Sequence, residues 1–452
     1  MRLLFPLLAL LLLALSGPAM AQEQGQMLGL PPRAAPTVRI QVQPLSVVQA
    51  PQFDPARATA AYLARASAGT RAETDAYFDG GYWLILVNLL WTLAASALLL
   101  WLPISRSLRD WAMGESDNPT TQAMIYGGFY VPIMAAAEFP LAVYEGYFRA
   151  HAYGLSNQDF LGWLSDYGVG LGLAVIAALI GVPLLYTAIR HAKRTWWLWG
   201  AGMGIALQIV VVAIYPVFFA PLFNHYTALP DGPLKTQILS LAHANDVPAN
   251  DVLVVAASRR TDRVSANVSG LFGTTRISLA DNLLNQATPD EVLAVMGRAM
   301  GHYVMGHALR MILLDGLVIL AAFAFLQWSS GALIAWAGPK WGIIKEIQDL
   351  AGLPLLVALA SIFFFIATPV TNTIARSAEH QADIFGLDAV RKPDAFATVM
   401  LKLPTYGKLS PDKWEEIVFY DQPSGRRRIR DAMIWKKEHI HDPDIRDTAG
   451  PR

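Results

Sequence analysis

The chain has 452 residues, of which 54% are apolar and only 15% charged, with a mean hydropathy of +0.36. Soluble globular domains run nearer about 45–50% apolar and about 25% charged, so the surplus apolar surface needs lipid. Thirty-five basic residues balance thirty-five acidic ones, and there is no cysteine. That balance argues against a nucleic-acid partner, and the missing thiols exclude disulfides, thiolate metal sites and a cysteine nucleophile.

The chain opens with Met1-Arg2, an apolar run Leu3–Leu15 and the small-residue end Ala19-Met20-Ala21. This reads as a signal peptide over 1–21 cleaved after Ala21, or else as an uncleaved first membrane helix. Residues 22–57 carry six prolines from Pro31 to Pro55 and read as an extended linker. Six stretches are then long and apolar enough for the roughly 20 residues that cross a bilayer: Tyr82–Leu102, Gln122–Tyr147, Tyr167–Ile189, Trp196–Phe223, Met311–Gly338 and Leu353–Ala375. The expected fold is a polytopic α-helical membrane protein of about six spans. Glu138 and Glu145 fall on one face of the second span and point to an internal chamber rather than lipid.

Alternate loops carry the positive charge: Arg106 and Arg109 after the first span, Arg190, Lys193 and Arg194 after the third, Lys340 and Lys345 after the fifth. By the positive-inside rule those loops are cytoplasmic, which places the two large polar regions, about 224–310 and 376–452, outside the cytoplasm. The first of these begins as an α/β unit, with a helix over Pro233–Ala244 and strands over Val252–Ala257 and Arg276–Leu279. A helix over Asp290–His307 follows, with Thr288 as N-cap and Pro289 at its first position. After the last span a separate helix carries Glu379-His380-Gln381-Ala382-Asp383.

This order of spans and motifs resembles the integral-membrane zinc metallopeptidases of family 48, the type I CAAX prenyl endopeptidase family, over roughly residues 50–440. The resemblance rests on Tyr153-Gly154-Leu155-Ser156-Asn157-Gln158, Ala266-Asn267-Val268-Ser269-Gly270, Asp281-Asn282-Leu283-Leu284, Glu379-x-x-x-Asp383 and Gln422-Pro423-Ser424-Gly425-Arg426-Arg427-Arg428-Ile429. It implies an N-terminal membrane domain over 58–223, a gluzincin-like α+β metallopeptidase domain over 224–440 that includes two spans, and a tail over 441–452. It also implies a zinc cofactor, polypeptide substrates met at the bilayer, and spans that enclose a chamber around the zinc position.

The resemblance fails at the chemistry. The family carries H-E-x-x-H, because His residues four apart lie about 40° apart around a helix and share one face. The two imidazoles hold zinc and the Glu acts as general base. Here the five residues read Arg298-Ala299-Met300-Gly301-His302. The first ligand position is Arg298, the general-base position is Ala299, and Gln422 stands where the family has a His. His302 and Glu379 remain as two ligands where catalytic zinc uses three plus water, so zinc binding here is expected to be weak or absent. On a helix His307 would point about 140° from His302, and His380 about 100° from Glu379.

Arg298 has two readings. It either forks to Glu379 and Asp383 in place of the metal or extends to solvent. In Arg426–Arg428 and Arg430, one inward arginine, Arg428, is expected beside the site and the others solvated, although the run could also touch lipid head groups. Asn267 is expected at a substrate edge or turn rather than as a glycosylated sequon. Three functions follow: a pseudoprotease that keeps the fold and peptide binding, an active zinc endopeptidase with an unusual ligand set or a natural enzyme in inactivated form, and a channel or carrier built on the chamber.

Overall fold

A computed structural model describes residues 53–214, 225–259, 264–269, 275–344, 346–402 and 408–445. The signal segment, most of the linker and the end of the fourth expected span lie outside these residues. The first described helix, α1 (Pro55–Ala64), takes in the last three residues read as linker. Asp54 caps it by accepting from the Ala56 amide at 2.9 Å, and Pro55 suits its first position.

The membrane region follows as α2 (Ala68–Trp101), α3 (Ile104–Glu115), α4 (Pro119–Val143), α5 (Phe160–His191) and α6 (Trp196–Ile214). α4 continues through a π turn, Tyr144–Arg149, which carries Glu145. α3 is too short to cross and is amphipathic, with Leu108 and Ala112 buried and Trp111 and Met113 exposed. Five helices among the described residues are long and apolar enough to span: α2, α4, α5 and two described below. α6 is apolar but is described only to Ile214, so the expected span over Trp196–Phe223 is seen in part. Large side chains on the spans stand exposed, among them Leu90, Ile180, Leu317, Trp328 and Ile366. In water such a surface would aggregate, and in a bilayer it is the lipid-facing side. Glu138 is instead buried and accepts from Thr92 of α2 at 3.0 Å, while Glu145 accepts from Asn88.

The polar region contains a four-stranded mixed sheet of β1 (Tyr226–Ala228), β2 (Val252–Val255), β3 (Ala266–Ser269) and β4 (Arg276–Ala280) in the order β1-β2-β4-β3. Only β2 and β4 are parallel, and α7 (Pro233–Ala244) lies between β1 and β2 in the chain. Short α8 (Asp281–Gln286) leads to α9 (Pro289–Val304), whose start is fixed by a capping box between Thr288 and Glu291.

α9 ends three residues before the expected His307. Gly306 adopts φ +68°, Met305 and Gly306 donate back to the carbonyls of Gly301 and Tyr303, and a new helix, α10 (His307–Ala337), starts at once. α10 is the fourth of the five long apolar helices among the described residues. The fifth, α11 (Leu353–Val390), is a single helix of 38 residues. The expected separate helix after the last span is therefore the continuation of that span, since no breaker falls between Ala375 and Glu379. α12 (Pro393–Lys402), α13 (Lys413–Phe419) and α14 (Gly425–Glu438) close the polar region. Its own core includes Ile277, Leu279, Met296, Met300, Phe396 and Met433, separate from a core between the spans. The first residues of the expected tail also pack: Ile445 is buried, and Asp442 and Asp444 pair with Arg391.

Candidate functional site

The site lies where α9 crosses α11. Glycine makes the crossing close: a Cβ on Gly301 would meet Ala382 backbone atoms at 3.1 Å, and one on Gly386 would meet the Arg298 amide nitrogen at 2.7 Å. Without side chains in that seam, the i and i+4 pair Arg298 and His302 faces the i and i+4 pair Glu379 and Asp383. α14 supplies the fifth group. Ser424 caps it by accepting from the Arg427 amide at 3.4 Å, which puts Arg428 in its first turn. The approach to α14 is tied to α11, because Arg376 donates to the carbonyls of Glu416 (2.7 Å) and Tyr420 (2.5 Å).

Four charged side chains meet there. The Arg298 guanidinium is bonded to Glu379 Oε2, and its Nε lies 3.1 Å from Asp383 Oδ1. Arg428 donates to Glu379 Oε2 at 2.9 Å and places its Nε 2.9 Å from Asp383 Oδ2. Both Nε contacts with Asp383 are ion pairs without hydrogen-bond alignment. Glu379, Asp383 and Arg428 are buried, and Arg298 is nearly so, with 12% of its side chain exposed. Two guanidinium groups thus face two carboxylates, and the quartet is neutral.

His302 is also buried, with Nε2 3.5 Å from Glu379 Oε1. Burial pushes its imidazolium down to about 3, opposed by Glu379 and reinforced by Arg298, His307 and Arg428, so His302 is neutral at physiological pH. His307 is not turned away from it, as rotation about one helix would require. The break at Gly306 swings His307 back until the two Nδ1 atoms are 3.0 Å apart. His380 does lie apart from Glu379, with Nδ1 3.3 Å from Asp431 of α14.

The remaining expected positions are spread around this centre. Ala299 is buried in the apolar core of the polar region. Gln422 sits in the turn before α14 with its amide oxygen buried and unpartnered among the described residues. Asn267 lies on β3, opposite Ser278 of β4, on the outer strand of the sheet. Among the described residues, no three His, Asp or Glu side chains gather as a metal would require. Gln381 and Arg310 are not singled out by the sequence, and with His307, which the sequence turns away from His302, they form a polar line beside the site. Gly306 was the available signal, since a glycine just past a helix end marks its stop.

Membrane-spanning helices, one of which runs on to carry Glu379 against a helix bearing His302 beside a small mixed sheet, define a membrane-embedded metallopeptidase architecture. Residues 65–225 match the family described as CAAX prenyl protease N-terminal, five membrane helices, and residues 228–436 match peptidase family M48. The chain belongs to the M48 family of zinc-dependent metallopeptidases, in its membrane-embedded CAAX prenyl protease branch. It is 28% identical to an uncharacterized metalloprotease, YhfN, of Bacillus subtilis, over 73% of this chain and 77% of the relative. It is 26% identical to CAAX prenyl protease 1 of Saccharomyces cerevisiae, over 77% and 79% respectively. The crystal structure of S. mikatae Ste24p shares the fold, with a TM-score of 0.60 at 21% identity, covering 83% of this chain and 87% of that one.

Proposed function

We propose that this chain is a non-cutting member of its family, a pseudoprotease in which an ion-pair lock stands in the place of zinc and polypeptide is held rather than hydrolysed. The observation that carries the reading is the Arg298 guanidinium lodged against Glu379. The residues present do not fit a zinc ion. A permanently charged guanidinium occupies the first ligand position and cannot coordinate, and the Glu379 oxygen it holds is the one Arg428 also holds. Only His302 and Glu379 are left as donors of the family set.

The family's chemistry needs a metal-bound water and a base to deprotonate it. Ala299 offers a methyl group in place of that base, and Gln422 offers an amide in place of an imidazolium. Peptide binding asks for less. β3 ends the sheet, so an extended chain could add to it through main-chain hydrogen bonds, with Asn267 on that strand. The lysines and arginines of alternate loops support a peptidase-like region outside the cytoplasm, in a multi-pass cell-membrane protein.

The test is to incubate the purified full-length protein in nanodiscs with a fluorescent unstructured peptide, following anisotropy for binding and mass for cleavage. Binding with the peptide intact is expected. Turnover that a chelator abolishes would overturn the reading in favour of an unusual zinc enzyme.

A further inference from the structure

Beside the ion-pair quartet runs a line of polar groups that the proposed function does not use. His307 Nδ1 is 3.0 Å from His302 Nδ1, and His307 Nε2 is 3.2 Å from Gln381 Oε1. The same Gln381 oxygen accepts from Arg310 at 2.7 Å. At the other end, His302 Nε2 is buried without a hydrogen-bond partner among the described residues, 3.5 Å from Glu379 Oε1.

Donor and acceptor rules give this line one direction. Arginine only donates, so Gln381 must present its oxygen, not its NH2 group, to Arg310. That oxygen then needs an N–H from His307, which makes Nε2 the protonated nitrogen. A neutral imidazole carries one N–H, so His307 Nδ1 is an acceptor. A second proton on His307 would set a cation beside the Arg310 guanidinium, with both on one amide oxygen. His302 Nδ1 must therefore donate, and His302 Nε2 keeps its lone pair. The reverse direction would press two acceptors together at 3.2 Å between His307 Nε2 and Gln381 Oε1.

We infer that Arg310, Gln381 and His307 are positioning residues that hold His302 as the Nδ1–H tautomer, with the bare Nε2 facing Glu379. A lone pair aimed at a carboxylate oxygen gains nothing in the folded chain by itself, so the direction is imposed from the Arg310 end. The Nε2 lone pair and Glu379 Oε1 then form an acceptor pair ready for a cation or a hydrogen-bond donor. This inference concerns where one proton sits and stands whether or not the chain binds zinc.

The test is long-range proton–nitrogen NMR of the full-length protein labelled with 15N-histidine. The nine histidines are sorted by the loss of one signal set in His302→Asn. The natural chain is expected to show His302 with a protonated Nδ1 and a bare Nε2. Gln381→Leu and Arg310→Leu should replace that single pattern with a mixture of tautomers, and Arg310→Lys, which keeps a pure donor, should restore it. A protonated Nε2 on His302 in the natural chain overturns the inference, as does an unchanged tautomer in both leucine variants. The readout is independent of zinc content and peptidase activity, so its failure leaves the pseudoprotease reading untouched, and the reverse also holds.

Discussion

At the scale of single residues, Arg298 decides the account. A lone buried carboxylate costs several kcal/mol or takes up a proton, and Glu379 avoids this because two guanidinium groups meet it. Arg298→Met should therefore destabilise the protein by about 3–5 kcal/mol, the cost of breaking a buried pair on one side. Thermal unfolding in detergent measures it. A change within about 0.5 kcal/mol, as for a surface residue, would mean the guanidinium spends its time in solvent. Restoring the family residues is the converse experiment. Arg298→His with Ala299→Glu should recover zinc, because His302 and Glu379 already face one another. Gln422→His added to that pair should raise peptidase turnover by about 10²–10³, the usual value of one transition-state hydrogen-bond donor. Ala299→Glu alone should give no peptidase activity, since no metal-bound water is there to deprotonate. A triple variant that folds but takes up no zinc would show that the site has drifted from the family geometry.

At the scale of elements, the crossing of α9 and α11 positions everything in the site. Gly386→Ala would put a methyl carbon 2.7 Å from the Arg298 amide nitrogen, against backbone that cannot swing aside. We expect a loss of about 1–3 kcal/mol, typical of overpacking, read as a lower unfolding temperature and faster proteolysis. An unchanged temperature would mean the helices separate at no cost. Much of this level was legible in the sequence. Thr288-Pro289-Asp290-Glu291 announces the start of α9, the spacing puts Arg298 with His302 and Glu379 with Asp383 on one face of each helix, and the resemblance to the family implies that the two faces meet. What was not legible depends on breaks and on contacts distant in the chain. An angle of about 140° between His302 and His307 holds only on one helix, whereas Gly306 divides them between two. The lack of a breaker between Ala375 and Glu379 is the local sign that the last span runs on into the Glu379 segment, whereas nothing local tells that Gln381 receives both His307 and Arg310.

At the scale of the whole molecule, the apolar surplus is divided between side chains exposed on the spans and two buried cores, one between the spans and one in the polar region. α11 links them, running as one helix from the membrane region to Glu379 and Asp383. Acid should reveal the cost of the buried histidine. An unfolded His302 titrates near 6.5 and the folded one near 3. Between these values the unfolded chain binds more protons, so the stability His302 contributes is full above about 6.5 and is lost as pH falls towards 3. Between pH 7.5 and pH 5 the unfolding temperature of the natural chain should fall relative to that of His302→Gln, and a difference between the two that acidification leaves unchanged would contradict the assignment.

Whether a guanidinium stands where the family keeps its metal is decided by the zinc content of the purified full-length protein after equilibration with excess zinc and removal of unbound metal. The natural protein should hold far less than one zinc per chain, and the Arg298→His, Ala299→Glu variant close to one. One tightly held zinc per natural chain would contradict it.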